Sequence, residues 1–531
     1  IHDENHNMQQ DIVIVGAGIS GLATALALQN AGKISKIASD SVSERGDGRA
    51  SISTSTGGGF IKNVRTIHVI EKSSMKSFLS LTKGAGALIT PNGLRALQYI
   101  DNGNDDNDSF LMNRIIESSS CLEGSAFIPA SPPNMDNGSG RSEGERKQEY
   151  EQRMMFVKDT TMEEFGLPQV FIRWASLRHI LYSSIMNNNE GTREDCCPNV
   201  IFHTNAGKDI IGYKINDEDG SISLVSDSGS KNIEDINSNS IGLIIGADGL
   251  SSVFRYLVNN DKQTIPLEHM GGDRKSHLQQ IDVKDTGRIN IKAVIEKELD
   301  IKKGFKPNHT FAHFTTNGIG IFAGSAGNGY TYWAISISDD VDKETGEKGG
   351  FLSEMINEWK GKRDDDDDDD INDDRDGSEE IDILYHWKVK DELLSKLKNL
   401  DSPEDVQFAI ELIEATDAGS IYLTRSQEAT KIGPALNSKD KKCVLVGDAA
   451  HCMSGSYGQN PVLALEDAAV LATCLRDSKD LPHALEKFNE SRVSRCLEIQ
   501  KRSAERAAKA MKGEKAEDVS KWIFQWKLNQ N

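Results

Sequence analysis

The sequence predicts an α/β fold: a Rossmann-type parallel sheet assembled from separated segments, a smaller sheet-rich unit, and a C-terminal helix. Three observations carry that prediction. A β-branched run, Asp11-Ile-Val-Ile-Val15, leads into a glycine turn and then an Ala- and Leu-rich stretch from Leu22 to Asn30. That is the order strand, tight turn, helix. Two later apolar runs, Ile241 to Ile245 and Cys443 to Val446, likewise end in glycine turns. Unbroken runs of this kind mark strands buried on both faces. Between them, residues 265–340 hold period-2 stretches such as Ile319 to Phe322 and Tyr330 to Ile337, which predict an antiparallel sheet.

The remaining elements follow in order. Thr66 to Ile70 is the second parallel strand, and Glu71 sits at its end with Lys72 beside it. Residues 38–60 are rich in Ser and Gly without apolar period, so an inserted loop is expected there. Residues 101–110 and 132–150 are again polar and loop-like. Val170 to Ile185 begins extended and continues with helical spacing through Leu177, Ile180 and Leu181. A helix is expected from about Pro461 to Leu475, and a long charged one from about His483 to Lys512 that reads as a solvated face. The parallel-sheet unit therefore takes residues 1–110, 165–260 and 436–480, the sheet-rich unit 261–435, and a C-terminal helical segment 481–531.

Composition sets the outer bounds. The 531 residues suffice for two domains. The net charge is −21, and residues 364–380 alone hold twelve acids against one Arg. An acidic insert at 362–380 is expected to be disordered. A chain this acidic repels phosphates, which argues against a nucleic-acid partner. The seven cysteines (121, 196, 197, 443, 452, 474 and 496) form no CxxC pair and no cluster with metal-ligand spacing, so no metal is expected. They fit a reducing compartment, cytoplasmic or organellar, a plastid included. No apolar run approaches the roughly 20 residues of a membrane span, and a soluble chain is expected.

Three motifs carry chemistry. The first is Gly16-x-Gly18-x-Ser20-Gly21. Between a buried strand and a helix, such a turn lets the backbone approach a pyrophosphate at the helix N-terminus. Glu71 is placed to accept ribose hydroxyls, although the insert at 38–60 puts it well past the usual spacing of about 20 residues. The second is Gly246-Ala-Asp248-Gly249, followed by Ser251, Ser252 and Arg255. The third is Gly447-Asp448-Ala-Ala-His451, followed by Gly458-Gln459-Asn460-Pro461 and Ala464-Leu-Glu-Asp-Ala468. Here Asn460 is a good N-cap and Pro461 a good first helical residue. The free N–H groups of that helix end stabilise an anion.

This ordered set resembles the class A flavoprotein monooxygenases, the family of para-hydroxybenzoate hydroxylase, salicylate hydroxylase and zeaxanthin epoxidase. Lys83 to Leu94 and Glu414 to Arg425 also resemble family sequence. The resemblance implies FAD, with its adenosine pyrophosphate over Gly16, Gly18 and Gly21, its ribose on Glu71, Arg173 close by, and its ribityl chain on Asp448. It implies that Asp248 serves both FAD and a transient NADPH or NADH. It further implies that oxygen from O2 passes through a flavin C4a-hydroperoxide to an apolar or aromatic small molecule, by hydroxylation or epoxidation. Two departures stand out. Met453 to Tyr457 lacks the family's Pro, and its Gly-Gln-Gly is here Gly458-Gln459-Asn460. Lys83 stands where many members carry Arg.

Two other readings stay open. One is an O2-independent flavoprotein reductase or dehydrogenase on the same fold; the other is a flavin-holding protein without turnover. Tyr330, Tyr332 and Trp333 fit sheet packing better than a substrate pocket. His451 reads at least as well as a structural hydrogen-bonder as a flavin contact. Trp522 to Trp526 reads as docking on the chain's own core, with peripheral membrane contact as the alternative.

Overall fold

The computed structural model describes residues 10–43, 59–81, 85–102, 109–128, 155–191, 197–207, 210–218, 220–226, 236, 240–265, 283–296, 309–314, 319–338, 376–400, 406–453, 457–511 and 517–528. Lys83, Cys196, the acidic residues 362–375 and the stretch 132–150 lie outside that set.

The buried β-branched runs form a five-stranded parallel sheet. Its order is Cys443–Leu445, Ile241–Gly246, Gln10–Val15, Val64–Ile70 and Asn199–His203. Ile12, Ile14, Leu243 and Ile244 in its centre are fully buried. The helices Ile19–Ser43 and Asn460–Asp477 pack on each other and bury Leu22, Leu26, Val462 and Leu465. Because the strands run parallel, the three glycine turns and Glu71 all fall at one edge, the carboxyl ends of four adjacent strands. That edge is where open α/β sheets bind ligands.

A seven-stranded sheet stands apart from it. Its order is Tyr422–Ala429, Val283–Ile295, Thr331–Ser338, Gly320–Ser325, His309–Phe314, Gly124–Ile128 and Met155–Lys158. The antiparallel expectation holds except where His309–Phe314 runs parallel to Gly124–Ile128. Alternation decides what each strand does. Ile289, Ile291, Ala293, Trp333 and Ile335 enter a core closed by the helices Asp376–Lys398 and Gln407–Ala415. Trp333 is buried there, its indole N–H donating to Thr416 Oγ1 at 2.9 Å.

Several expectations need correction. The sheet also takes two strands, Gly124–Ile128 and Met155–Lys158, from residues 111–164, which the sequence-based division left unassigned. The first helix continues to Ser43, so the insert expected from 38 starts later. Residues 376–380, expected to be disordered with the rest of the acidic insert, open a helix. The helix expected at Pro461 begins at Asn460, with Gln459 as N-cap. Asn460 does not cap it; its side chain donates to Met453 O at 3.0 Å. The helix Leu481–Met511 is not simply a solvated face: Leu485, Phe488, Arg492, Cys496 and Ile499 form a buried stripe along it. Among the described residues, no helix is long and apolar enough to cross a membrane.

Candidate functional site: a cleft between the two sheets

The first turn is set by close approach. Gly16 has φ +108°, and a Cβ there would lie 2.3 Å from Ala247 O. A Cβ on Gly21 would lie 1.9 Å from Gly16 O. Gly18 is different, because a Cβ there meets no protein atom within 4 Å. The turn is thus tight at its ends and open at its middle, as a backbone cradle for a ligand requires. Glu71 braces it: its carboxylate accepts from Ala17 N at 3.1 Å and from Ser73 N at 2.9 Å. Lys72 is exposed beside it.

The third turn packs directly on the first. Gly447 has φ +60°, and a Cβ on it would sit 2.5 Å from Ser20 Cβ. Gly447 N donates to Asp467 Oδ2 at 2.8 Å, and His451 Nε2 meets the same oxygen at 2.7 Å. His451 is fully buried, so it acts here as a structural hydrogen-bonder. Asp467 Oδ1 accepts from Arg492 Nε at 2.7 Å. Burial works against the Asp467 charge, but His451 and Arg492 outweigh it and hold the carboxyl down at about 2. Cys496 joins His451 and Asp467 in a buried cluster with potential ligand atoms within 4.8 Å of one another. The carboxylate there is already committed to Gly447, His451 and Arg492, and the guanidinium opposes a further cation.

The second motif serves mainly as a brace. Asp248 accepts from Ser252 Oγ at 2.5 Å and Val253 N at 2.7 Å, so it braces the start of the helix Val253–Asn260, which Ser252 caps by accepting from Arg255 N at 2.9 Å. Burial raises its pKa against those hydrogen bonds and Arg255. Gly249, with φ +80°, closes the turn. Arg255, buried, donates to Asp448 O at 3.0 Å and so ties the second motif to the third.

The third turn, with Leu250 from the end of the second, walls a cleft of about 1360 Å³, whose lining does not include Gly16–Gly21 or Glu71. Asp448, Gly458, Asn460 and Pro461 line one side. The facing strands of the larger sheet supply Asn290, Lys292, Phe322, Tyr332 and Tyr422. Phe171 and Tyr332 stack with ring centroids 5.3 Å apart, and Phe322 lies 5.7 Å from Phe171. Tyr332, expected as sheet packing, thus borders the cleft. Burial raises the Asp448 pKa, while His451, Arg255 and Lys292 pull it back down. The helix N-terminus at Asn460 opens on the same space, and Asn460 Oδ1 is buried without a hydrogen-bond partner.

The expected site residues do not all gather there. Arg173 is buried under the Tyr330 ring, 3.7 Å from its centroid, and donates to Leu81 O. Arg178 lines the cleft instead, donating to Ser80 O at 3.0 Å near Glu71. Gln459 turns inward, where Asn92 Nδ2 donates to its Oε1 at 3.0 Å and its own Nε2 donates to Thr90 Oγ1 at 3.1 Å. Asn92 also donates to Glu466 at 2.7 Å. Sequence reasoning missed Arg178, Lys292 and the Glu466–Arg492–Arg495 network. Only Glu466 and Asp467 carried a signal, as adjacent acids in an apolar helix.

The comparisons bear on the fold. No family model matches the chain. Over 110 residues it is 34% identical to the Aurachin C monooxygenase/isomerase of Stigmatella aurantiaca, across 21% of this chain and 27% of that protein. Over 73 residues it is 36% identical to YetM of Bacillus subtilis, described as a candidate FAD-dependent monooxygenase, across 14% of this chain and 20% of that one. These matches span roughly a quarter or less of the curated relatives. Solved structures align over nearly the whole chain. Klebsiella pneumoniae HpxO complexed with FAD and uric acid gives a TM-score of 0.57 at 16% identity, covering 98% of this chain and 94% of that one. CtdE with FAD and its substrate 4 gives 0.58 at 14%, covering 98% and 96%. The tetrameric 2-methyl-3-hydroxypyridine-5-carboxylic acid oxygenase gives 0.52 at 14%, covering 95% and 93%. The resemblance read from the motifs stands: this chain has the Rossmann-type fold of the class A flavoprotein monooxygenases.

Proposed function

We propose that this protein is an FAD-dependent oxidoreductase, specifically a monooxygenase that uses NADPH or NADH and O2 on a small apolar or aromatic molecule. The observation that carries this reading is the convergence of Asp448, the Asn460 helix end and an aromatic sheet wall on one cleft at the carboxyl edge of the parallel sheet. The residues present fit the cofactor, since Gly18 leaves an open cradle and Asn460 Oδ1 lacks a partner. When bound, FAD supplies the redox chemistry: it takes two electrons from the nicotinamide and delivers them to O2, one oxygen atom going to the substrate and the other to water.

The chain's own residues then bind, orient and shield. The Gly16–Gly21 turn and the helix behind it would hold the pyrophosphate on backbone N–H groups. Glu71, already fixed by Ala17 N and Ser73 N, would accept from the adenosine ribose. Asp448 would accept from the ribityl hydroxyls, its backbone held by Arg255. The N-terminus of the helix Asn460–Asp477 would stabilise negative charge that develops on the reduced ring. Asp248 is already engaged with Ser252 Oγ and Val253 N, and its role toward the nicotinamide would be exercised through the turn it holds. Phe171, Phe322 and Tyr332 would exclude water from the substrate's reacting face.

The test begins with the visible spectrum of the purified protein and identification of whatever cofactor denaturation releases. Flavin bands with released FAD are expected. NAD(P)H oxidation with stoichiometric O2 uptake, stimulated by a bound aromatic ligand, is expected next. Oxidation that proceeds equally without O2 would point to the reductase. A colourless protein that takes up no added FAD would overturn the reading.

A further inference from the structure

We infer that a second cavity, between the helix Pro91–Asn102 and the C-terminal segment, is a ligand site of its own and takes a small carboxylate with a short apolar body. The basis is a row of buried polar residues on that helix. Asn92, Arg95 and Gln98 stand three residues apart, so they follow one side of it. Asn92 is fully buried and donates to Gln459 and Glu466. Arg95 is buried and donates to Phe524 O and Trp526 O at 3.0 and 2.8 Å. Both are braces with their acceptors in place. Gln98 is only 2% exposed, and its Nε2 has no hydrogen-bond partner. A buried amide left unmet is costly unless something supplies an acceptor.

Gln98 borders a cavity of about 420 Å³. One water takes about 30 Å³, whereas small-molecule sites begin at roughly 300 Å³. The lining narrows the ligand. Phe165 and Leu167 supply apolar surface, and Phe165 is held edge-on against Phe524 with ring centroids 5.8 Å apart. Arg95 and the exposed Lys527 bring positive charge to the same space. Among the described lining residues Glu164 is the one acid. It is already met by Thr160 Oγ1 at 2.7 Å and by Lys521 Nζ at 4.0 Å. The cavity therefore offers an unmet donor, an excess of positive charge and an apolar wall. A carboxylate supplies the acceptor and the countercharge together, and a short hydrocarbon chain behind it covers the apolar wall. Such a ligand would join the helix to the segment whose carbonyls Arg95 holds, and so steady that segment.

The experiment is calorimetric titration of the full chain with its cofactor, alongside thermal melts. The probes are 4-methylpentanoate and its neutral amide, 4-methylpentanamide. Wild type should bind both and prefer the acid about fivefold, and the acid should raise the melting temperature. Lys527→Met should weaken the acid alone and narrow the preference. Gln98→Leu should weaken both probes roughly tenfold, as loss of a shared hydrogen bond does. It should also raise the melting temperature of the ligand-free protein, since an unmet amide gives way to an apolar group of similar size. A merely structural Gln98 would lose stability instead, which overturns the inference. Failure of wild type to bind the acid overturns it too. So does acid binding that neither variant changes, since the probe would then lie elsewhere, as in the cleft. Lys527 is exposed, so its variant tests the site even if Gln98→Leu does not fold. The flavin reading fails separately: no residue proposed to hold FAD lines this cavity, and a protein without flavin bands would give the same titrations.

Discussion

Gly18 and Gly21 belong to one turn but answer to different constraints. A methyl group on Gly21 collides with the backbone at Gly16 O, 1.9 Å away, whereas one on Gly18 meets only open space. Gly21→Ala is therefore expected to cost about 1–3 kcal/mol of stability, as overpacking does, and to lose FAD as well. Gly18→Ala should leave the melting temperature of the cofactor-free protein unchanged and still weaken FAD binding. Thermal melts of both variants, with and without FAD, separate the two cases; a Gly18→Ala protein that keeps full FAD affinity would show that the cradle is not used. Asp467 gives a second prediction. Its folded pKa of about 2 lies below its ordinary 3.8, so the stability it contributes is complete above pH 4 and is lost as pH falls toward 2. The shift corresponds to about 2 kcal/mol. Asp467→Asn should destabilise the protein at neutral pH, and the gap to wild type should narrow through that acid window in denaturant titrations; a gap independent of pH would assign the effect to packing alone. At this scale the sequence was legible where a motif fixes both residue type and place, as for Gly16, Glu71 and Asp448. It was silent on Arg178 and Lys292, because an isolated basic residue in a helix or strand carries no sign of which way it faces.

Elements show the same division. The helix Asn460–Asp477 was readable because Pro461 and an Ala- and Leu-rich run mark it. The helix Leu481–Met511 was readable as a helix but not as a packing partner. Its buried stripe contains Arg492, and a charged residue in an apolar stripe reads as surface until its partner is known. That partner is Glu466, whose two oxygens accept from Arg492 and Arg495 at 2.6 and 2.7 Å. The network reaches further in both directions. Arg495 donates to Ile523 O at 3.0 Å, and Arg95 to Phe524 O and Trp526 O at 3.0 and 2.8 Å. Through Asn92 the same Glu466 meets Gln459 in the turn that precedes the Asn460 helix end. The C-terminal segment is thus coupled to the turn at Gln459 by buried charges. Arg495→Met leaves part of the Glu466 charge uncompensated and is expected to destabilise by about 3–5 kcal/mol. A chain ending at residue 516 should melt lower and release FAD faster, because Arg95 and Arg495 lose their carbonyl acceptors. Stopped-flow FAD release from the truncated protein at wild-type rates would show that the segment only covers a surface.

At the scale of the molecule, the sequence announced two sheets but not how their strands interleave. The parallel order places Cys443–Leu445 beside Ile241–Gly246, and Gly124–Ile128 joins a sheet whose other strands mostly follow residue 282. Such pairings are set by burial and topology, which local pattern does not encode. Their consequence is that a cofactor bound at the carboxyl edge, as proposed, would meet segments near residues 16–21, 71, 447–453 and 457–460, far apart along the chain. Binding there stabilises the folded state by RT ln(1 + [L]/Kd), about 2.7 kcal/mol at a hundredfold excess over Kd. Because the bound groups belong to neighbouring strands of one sheet, that stabilisation should be shared rather than local. Adding FAD to the cofactor-free protein is therefore expected to slow amide exchange together in Gln10–Val15, Val64–Ile70 and Cys443–Leu445. The helices Asp376–Lys398 and Gln407–Ala415, on the face of the other sheet that turns away from the cleft, should change least. Hydrogen-exchange mass spectrometry with and without FAD reads this directly. Protection confined to the first glycine turn would mean that the adenosine half alone is held and that Asp448 and the Asn460 helix end do not meet the flavin.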